Sequence, residues 1–200
     1  MPKPIQLLTE TRKRYGPAPR FMQPDIMRAL WRLERRTGRA RLAASLQLGE
    51  GSMRTILNRL SSLGLIDSAP MGHKLTKQGF AYLRRTKQKA PSIQPISPSK
   101  LTFSQPALSM RVRRIARKIN PLQLRDEAVR AGANGSVILR FEGGRLIIPP
   151  FHAPTHREYA RELAAIQASC GLVEGDVLLI AYGGSEASLE RALWRAFTRL

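Results

Sequence analysis

The sequence lacks a set of cysteines, a long apolar run and a balancing number of acidic residues. Its one cysteine, Cys170, excludes an internal disulfide framework and any zinc site built on cysteines. No apolar run reaches the length of a transmembrane helix, and the N-terminus has no apolar segment of the kind found in a secretory signal peptide. These absences predict a soluble protein of a reducing cytoplasm, with no membrane partner.

The shortage of acidic residues is uneven along the chain. The sequence has 34 Lys and Arg against 14 Asp and Glu, which gives a net charge of +20. Residues 1–120 hold 25 of the basic residues and 5 of the acidic ones, whereas residues 121–200 hold 9 of each. A basic part joined to a neutral part predicts a module that binds a polyanion, attached to a second module with another role.

The strongest local pattern lies in residues 49–66, which read GEGSMRTILNRLSSLGLI. Five apolar residues recur there at helical spacing and predict one buried helix face: Met53, Ile56, Leu57, Leu60 and Leu63. Gly64 follows at the position where a helix needs a left-handed residue in order to end. The spacing therefore predicts an amphipathic helix that stops before Leu65.

The opposite face of this helix is small, polar or basic and contains Gly51, Arg54, Thr55, Asn58 and Ser62. Short polar groups let a helix approach the bases in a DNA major groove, while Arg and Asn can reach the base edges. The pattern predicts a recognition helix. The alternative is an ordinary amphipathic helix with a solvated face.

The flanking segments predict a helix-turn-helix unit followed by a hairpin. Pro24 opens a helix that ends near Gly38, a short helix covers residues 39–46, and a tight turn leads into the recognition helix. Residues 65–76 predict two strands around the turn Pro70-Met71-Gly72, and a further helix then buries Phe80 and Leu83.

Residues 22–88 resemble the winged-helix domain of prokaryotic, and especially archaeal, transcription regulators. The resemblance is carried by the run Gly-Glu-Gly-Ser-Met-Arg-Thr-Ile-Leu at 49–57 and by Leu-Thr-Lys-Gln-Gly at 75–79. The whole chain resembles archaeal two-domain proteins that join a winged helix to a small α/β domain. This resemblance implies a winged-helix DNA-binding domain at residues 22–88, with the hairpin as its wing.

The predicted recognition helix and wing assign roles to individual residues in binding double-stranded DNA. We expect three residues to read bases: Arg54, Thr55 and Asn58. We expect five residues to hold the DNA backbone: Arg39, Arg41, Ser52, Arg59 and Lys77. The resemblance implies that His73 and Lys74 act on the wing.

Two basic or proline-rich segments flank this domain. Residues 1–21 form a basic arm that could follow phosphates, the alternative being a disordered or packing tail. Residues 89–100 are rich in Pro, Ser and Gln without periodicity and predict a linker. Residues 101–200 are then a second domain for dimerisation or for sensing an effector.

The sequence of the second domain predicts the element order strand, helix, strand, strand, helix, strand, helix. Its first strand, near Leu108–Val112, also suits a helix, and the helix that follows is expected to bury Leu124 and Val129. The first six elements match the ferredoxin-like pattern, in which two helices cover one face of an antiparallel sheet, and one helix is added. The predicted fold class is α+β.

A small anionic effector could bind this domain at Gly183, Gly184 and Ser185, where a strand passes through glycines to a helix start, or at Arg125. The alternatives are a tight glycine turn and a surface ion pair. His152 and His156 are four residues apart but have no third ligand nearby, so no metal is expected. No nucleophile and base arrangement can be identified, so we expect neither a cofactor nor an enzyme.

The sequence thus favours a homodimeric, sequence-specific transcription regulator, because one recognition helix covers too few base pairs for an operator. Two alternatives stay open. One is a sequence-neutral DNA or RNA binder associated with chromatin or ribosomes, and the other is an enzyme in the second domain that is regulated through the winged helix.

Overall fold

A computed structural model describes residues 21–90, 92–97, 99–115, 119–148 and 157–200. The predicted arm, apart from Phe21, and the pair His152 and His156 lie outside the described residues. The chain divides between Arg85 and Thr86 into two compact units, and each combines helices with an antiparallel sheet. The predicted α+β class is therefore confirmed. Within the described ranges, no helix has the length and apolar character needed to cross a membrane.

The first unit is three helices followed by a hairpin and most of a fourth helix, whose last four residues lie beyond the boundary. Its elements are α1 (Gln23–Arg32), α2 (Arg39–Leu46), α3 (Glu50–Ser62), β1 (Ile66–Ala69), β2 (Gly72–Leu75) and α4 (Lys77–Lys89). The helical apolar stripes meet in one core, whose fully buried members include Leu30, Leu42, Leu46, Met53, Ile56 and Leu60. Burial of these side chains is the main favourable contribution to the packing of the three helices.

A buried ion pair connects α1 to the end of α2. The Asp25 carboxylate accepts hydrogen bonds from the Met22 backbone N–H at 2.8 Å and from Arg28 Nη1 at 2.9 Å. The same Arg28 nitrogen lies 3.2 Å from the carbonyl oxygen of Leu46 and donates to it. Both charged side chains are 1% exposed, so each depends on the other for its electrostatic compensation.

The hairpin is held against the segment between α1 and α2 by Thr37. The backbone N–H of each of Thr37 and His73 donates to the carbonyl oxygen of the other, at 3.0 Å in both directions. Gly72 makes this approach possible because its φ is +113° and a Cβ there would lie 2.9 Å from the Thr37 carbonyl. Thr37 thus forms a single isolated β-bridge beside β2.

Helix α4 buries Leu83, as predicted, but Phe80 is half exposed and its predicted inward packing is wrong. The reason is Gly79, whose missing side chain lets α4 approach the chain at Leu65. A Cβ on Gly79 would overlap the carbonyl oxygen of Leu65. Since Gly79 faces the core, its neighbour Phe80 is turned toward solvent.

The second unit is built on a five-stranded antiparallel sheet. Its elements are β3 (Ile93–Ile96), β4 (Ala107–Val112), α5 (Pro121–Arg130), β5 (Gly135–Glu142), β6 (Arg145–Ile147), α6 (Ala160–Cys170), β7 (Val177–Tyr182) and α7 (Glu186–Phe197), with short 3-10 turns at Lys100–Thr102 and Arg157–Tyr159. The strand order is β3-β4-β7-β5-β6. The strand alternative for residues 107–112 is confirmed.

Strand β3 lies inside the segment that the sequence predicted to be a linker, so that prediction is wrong for residues 93–96. Ile93 pairs with Met110 and Ile96 with Ala107 at the edge of the sheet. An edge strand needs hydrogen bonds on one side only, so it tolerates Pro95. The proline and serine content therefore concealed a short strand.

Helices cover both faces of this sheet, so the predicted ferredoxin-like arrangement is wrong. Leu178 and Ile180 of the central strand β7 lie in one cluster with Leu163 and Ile166 of α6. The alternate residues of β7 are also buried, and they face the opposite side, where α5 and α7 pack on the sheet and on each other. A central strand between two helical layers must be apolar on both faces.

A buried carboxylate joins the two helices that share one face. Glu127 on α5 has a 4% exposed side chain and forms ion pairs with Arg130 of its own helix, with Arg195 of α7 and with Arg199, which follows α7. Burial opposes ionisation of the Glu127 carboxyl, but the hydrogen bonds and charges of Arg195 and Arg199 outweigh it and lower its pKa. On the same helix Leu124 is buried, whereas Val129 is 43% exposed, contrary to the prediction.

Replacing Gly72 by alanine should destabilise the first unit by about 1–3 kcal/mol, because the new Cβ meets the Thr37 backbone and the positive φ becomes strained. Urea denaturation of the full chain measures the change. Gly51→Ala is the control, since nothing lies within 4 Å of the position that its new methyl group would occupy. In a helix that substitution should stabilise by about 0.5–1 kcal/mol. Equal effects of the two substitutions would contradict the packing described for Gly72.

Glu127→Gln should lower the free energy of unfolding by about 1–3 kcal/mol at pH 7, because charge-assisted hydrogen bonds between α5 and α7 are lost. Since the folded pKa of Glu127 is depressed, its contribution is present above the unfolded pKa of about 4.3 and is lost as the pH falls through the folded value. Denaturation at a series of pH values should show the wild type and the variant converging in acid. A difference that does not depend on pH would refute an ionic contribution.

Candidate nucleic-acid interface

The polar face of α3 is exposed in full, as the sequence predicted. Gly51, Arg54, Thr55 and Asn58 are exposed, while the apolar side of the helix is buried in the core of the first unit. At about 100° per residue, Gly51 and Asn58 lie near the centre of the exposed face, with Thr55 beside them. The core therefore fixes which side chains α3 presents to a partner.

The turn before α3 is closed by backbone hydrogen bonds. Gln47 adopts a left-handed conformation with a φ of 53°, and its N–H donates to Ala44 at 3.1 Å. The next N–H, of Leu48, donates to Ala43 at 2.9 Å, and the carbonyl of Gly49 accepts from Met53 at 3.0 Å. This αL ending of α2 sets a sharp change of direction between the two helices.

Two polar side chains near the centre of the face differ in the hydrogen bonds that they can form with a partner. The Thr55 hydroxyl donates its proton to the carbonyl oxygen of Gly51 at 3.0 Å, so its oxygen is left to accept a hydrogen bond. Asn58 is exposed and carries an amide that can donate and accept at once. An exposed amide next to a glycine suits an adenine edge in the major groove.

Basic side chains lie on both flanks of this face, and others lie on the neighbouring helices. Arg54 and Arg59 lie on opposite flanks of α3; Arg54 is exposed and Arg59 is half-buried. Burial lowers the pKa of Arg59, although it stays charged at neutral pH. Ser52 lies half-buried on the Arg59 flank, and the exposed Arg41 and Lys77 are on the neighbouring helices α2 and α4.

Arg39 is engaged in an ion pair that the sequence did not reveal. Its Nη2 lies 3.2 Å from Glu50 Oε2, and both side chains are substantially exposed. Glu50 is the first residue of α3, where a carboxylate is favoured by the helix dipole. Arg39 thus compensates the one acidic group at the edge of the polar face, which limits its freedom to hold a phosphate.

The two residues predicted to act on the wing differ in their exposure. Lys74 is exposed, opposite Asp67 in the strand register. His73 is half-buried, and its Nδ1 lies 2.8 Å from the Ser68 hydroxyl. Burial lowers the pKa of His73, and the positive charge of Arg39 lowers it further, so the imidazole is neutral at pH 7.

The tip of the hairpin is Pro70-Met71, and sequence reasoning missed Met71. Its side chain is 83% exposed, the highest value among the large apolar side chains that the structure describes. Methionine is among the apolar side chains that minor-groove binding proteins use as wedges between base steps. The signal was its position at the centre of the predicted turn.

In the second unit, packing accounts for the glycines that were proposed as a ligand site. A Cβ on Gly183 would overlap the Asn134 side chain, and one on Gly184 would lie 2.7 Å from Ser188 Oγ. The Ser185 hydroxyl accepts from the Ser188 N–H at 3.2 Å and so caps α7. These contacts favour the tight-turn interpretation, and an anion site there stays a prediction.

Arg125 lies on an open depression of about 420 Å³ that is also lined by Asp126, Val129, Asn134 and Tyr182. Its guanidinium is 2.9 Å from the Asp126 carboxylate. This ion pair agrees with the alternative interpretation of Arg125, which is a surface ion pair and not an effector site. Among the described residues there is also no group of three His, Cys, Asp or Glu side chains that could hold a metal ion.

Comparison with known proteins finds two matching families and a similar solved structure, but their descriptions state no activity. Residues 23–81 match the family described as PH0730-like, N-terminal domain, and residues 103–200 match a domain of unknown function, DUF4443. The solved structure of hypothetical protein PH0730 from Pyrococcus horikoshii OT3 is similar, with a TM-score of 0.73 and 24% identity over 90% of this chain and 92% of that one. No curated protein matches. The chain therefore shares the two-domain fold of an archaeal protein.

Proposed function

We propose that this protein is a sequence-specific DNA-binding transcription regulator, and that its first unit is a winged helix. The observation that carries the proposal is the exposed face of α3, which presents Arg54, Thr55 and Asn58 around a glycine while its apolar side is buried. Small residues on an otherwise polar helix permit close approach to base edges. The hairpin, joined to Thr37, then acts as the wing beside the duplex.

Base reading is assigned to the exposed side chains of α3. Arg54 pairs with guanine through two parallel hydrogen bonds and Asn58 with adenine in the same way, each worth about 1–3 kcal/mol of discrimination. The Thr55 hydroxyl donates its proton to the Gly51 carbonyl oxygen, so Thr55 accepts a hydrogen bond from a base amino group or contacts a thymine methyl. The site read by one such helix is only a few base pairs long.

Backbone contacts are assigned to the surrounding basic groups. Arg41, Arg59, Lys77 and Lys74 provide positive charge on α2, α3, α4 and the hairpin, and Ser52 is a neutral donor in the first turn of α3. Arg39 takes part only if DNA phosphate competes successfully with Glu50 for its guanidinium. His73, neutral and hydrogen-bonded to Ser68, supports the wing instead of neutralising phosphate.

The regulator acts as a homodimer in the cytoplasm of an archaeal cell. Two-fold symmetry doubles the length of the recognised site, which one recognition helix cannot supply by itself. The second unit provides dimerisation, and the depression at Arg125 is the place where a small anionic effector would act on it.

One observation favours a second function, binding of DNA or RNA without sequence preference. The net charge of +20 gives strong electrostatic attraction to any polyanion. Selection of fragments of the organism's genome at about physiological salt separates the two functions. A recurring palindromic site supports the regulator, and uniform recovery of fragments supports the sequence-neutral binder.

Arg54→Ala should weaken binding to the selected site by about 5- to 150-fold relative to random DNA, because one bidentate base contact is lost. Fluorescence anisotropy with both duplexes measures the ratio. Arg54→Lys is the matched control, since it keeps the charge but not the two-pronged geometry, and it should lose preference while retaining most of the random binding. If both variants weaken the two duplexes equally, Arg54 contacts phosphate only.

Lys74→Ala should reduce the slope of log affinity against log salt by about one and leave sequence preference unchanged, as expected for a phosphate contact. The measurement is a salt titration with specific and random duplexes. Lys100→Ala removes the same charge from an exposed position in the second unit and should leave the slope unchanged. A change in preference with Lys74→Ala would assign this residue to base reading.

A further inference from the structure

We infer that the second unit has its own contact surface for the sugar-phosphate backbone of double-stranded DNA. The surface is formed by Lys89, Arg113 and Arg114, which we call the basic cluster. The inference rests on the proposed function for the choice of DNA among polyanions. It goes beyond that function because the second unit was assigned only dimerisation and effector binding there.

The second unit is itself basic, although a division of the sequence at residue 120 makes it look neutral. The boundary between the two compact units lies between Arg85 and Thr86. Residues 86–120 hold 8 basic residues and no acidic one, whereas residues 121–200 hold 9 of each, so the second unit has a net charge of +8. Its whole excess of positive charge therefore comes from residues 86–120, which include the basic cluster.

Backbone pairing brings the members of the cluster together. The N–H of Arg113 donates to the carbonyl oxygen of Lys89 at 2.7 Å, so the last residue of α4 lies beside the residue that follows β4. Arg114 is next in the chain, and all three side chains are exposed. Among the described residues, none of the three forms an ion pair with a carboxylate. Three cations thus lie together on one small area of the surface.

A buried carboxylate holds the loop that carries two of these cations. Asp176 is 0% exposed, and it accepts hydrogen bonds from Arg111 Nε at 2.6 Å and from the Arg114 N–H at 3.1 Å. Arg114 has a φ of 45°, in the left-handed region that is uncommon for residues other than glycine. Such a conformation costs free energy and persists where the surrounding structure imposes it, often at functional sites. Here Asp176 imposes it, and the loop keeps Arg113 and Arg114 at the surface.

The acidic groups near the cluster leave it positively charged. Gly175 accepts a hydrogen bond from the Ile115 N–H at 3.0 Å, so its neighbours Glu174 and Asp176 are the acidic residues to consider. Asp176 is buried and is already compensated by its ion pair. Glu174 is exposed, and its carboxylate accepts from the Gly143 N–H at 3.1 Å. Three cations against one exposed carboxylate leave a local excess of two positive charges, so the cluster attracts an anion.

The composition of the cluster fits the phosphates of a duplex. Arginine and lysine make charge-assisted hydrogen bonds to phosphate, and the regular phosphates of DNA can engage several cations at once. Surfaces for single strands add exposed aromatic side chains on which bases stack. In the described part of the second unit the largely exposed aromatic residue is Phe103. It lies beside Tyr182, which pairs with the first residue of β4, whereas the cluster follows the last residue of that strand. Double-stranded DNA is therefore the expected partner, and these contacts carry no sequence information.

The test compares two double variants of the full chain in salt titrations with a random DNA duplex. The cluster variant, Lys89→Ala with Arg113→Ala, should lower the slope of log affinity against log salt by about 1.8, since each phosphate contact contributes about 0.9. The matched control, Lys100→Ala with Arg161→Ala, also removes one exposed lysine and one exposed arginine from the second unit. Both of its positions lie near Ser99, at the end of the sheet opposite to the cluster, so the slope should stay unchanged.

A charge-conserving exchange separates the effect of charge from that of structure. Lys89→Arg with Arg113→Lys should keep the wild-type slope, and circular dichroism checks that every variant is folded. Equal slopes for the cluster variant and the wild type, or an equal fall in the cluster variant and the control, would overturn the contact. A slope that falls with an RNA duplex of the same length but not with the DNA duplex would overturn the choice of DNA.

Sequence preference separates failure of the cluster from failure of the proposed function. If the cluster variant has the lower slope and keeps the wild-type ratio of selected-site to random binding, both proposals stand. If its slope falls but the wild type prefers no sequence, the cluster stands and the regulator does not. If the wild type prefers a selected site and the cluster variant keeps the wild-type slope, the regulator stands and the cluster is wrong.

Discussion

Burial of the apolar face of α3 is the constraint on which the candidate interface depends. Met53, Ile56 and Leu60 have no exposed surface, so rotating or withdrawing the helix would return them to water. Because a helix is rigid, fixing that face also fixes the direction of Gly51 and Asn58 on the other side. The polar surface of the candidate interface is thus set by side chains on the opposite, buried side of the helix.

Three of the acidic residues have defined structural positions beside arginines. Asp25 is buried with Arg28, Glu50 faces Arg39 beside α3, and Glu127 is buried among arginines between α5 and α7. Each carboxylate is matched by at least one guanidinium, so these groups stabilise local packing without forming a negative surface. Most basic side chains of the first unit that the structure describes are exposed or partly exposed, so their charge can act on a polyanion over a Debye length.

Local patterns predicted the first unit well because its elements follow from short-range periodicity. The helical stripe and Gly64 gave α3 nearly to the residue, and Pro70-Met71-Gly72 gave the hairpin turn. The ion pair of Arg39 with Glu50, the neutral state of His73 and the outward turn of Phe80 were not predictable in this way. Each depends on a contact between residues that are distant in the chain or on the close approach of two backbones.

In the second unit, apart from β3, the sequence determined approximately where strands and helices begin and end, since turn residues, caps and period are local properties. The sequence also indicates that helices cover both faces of the sheet, because the continuous apolar run Val177–Ala181 suits a strand that is buried on both sides. Only the tertiary structure decided the strand order, the recruitment of β3 to the sheet edge and the side on which each helix packs. Those choices depend on long-range burial and backbone pairing, which compete across the whole unit and leave no fixed spacing in the chain.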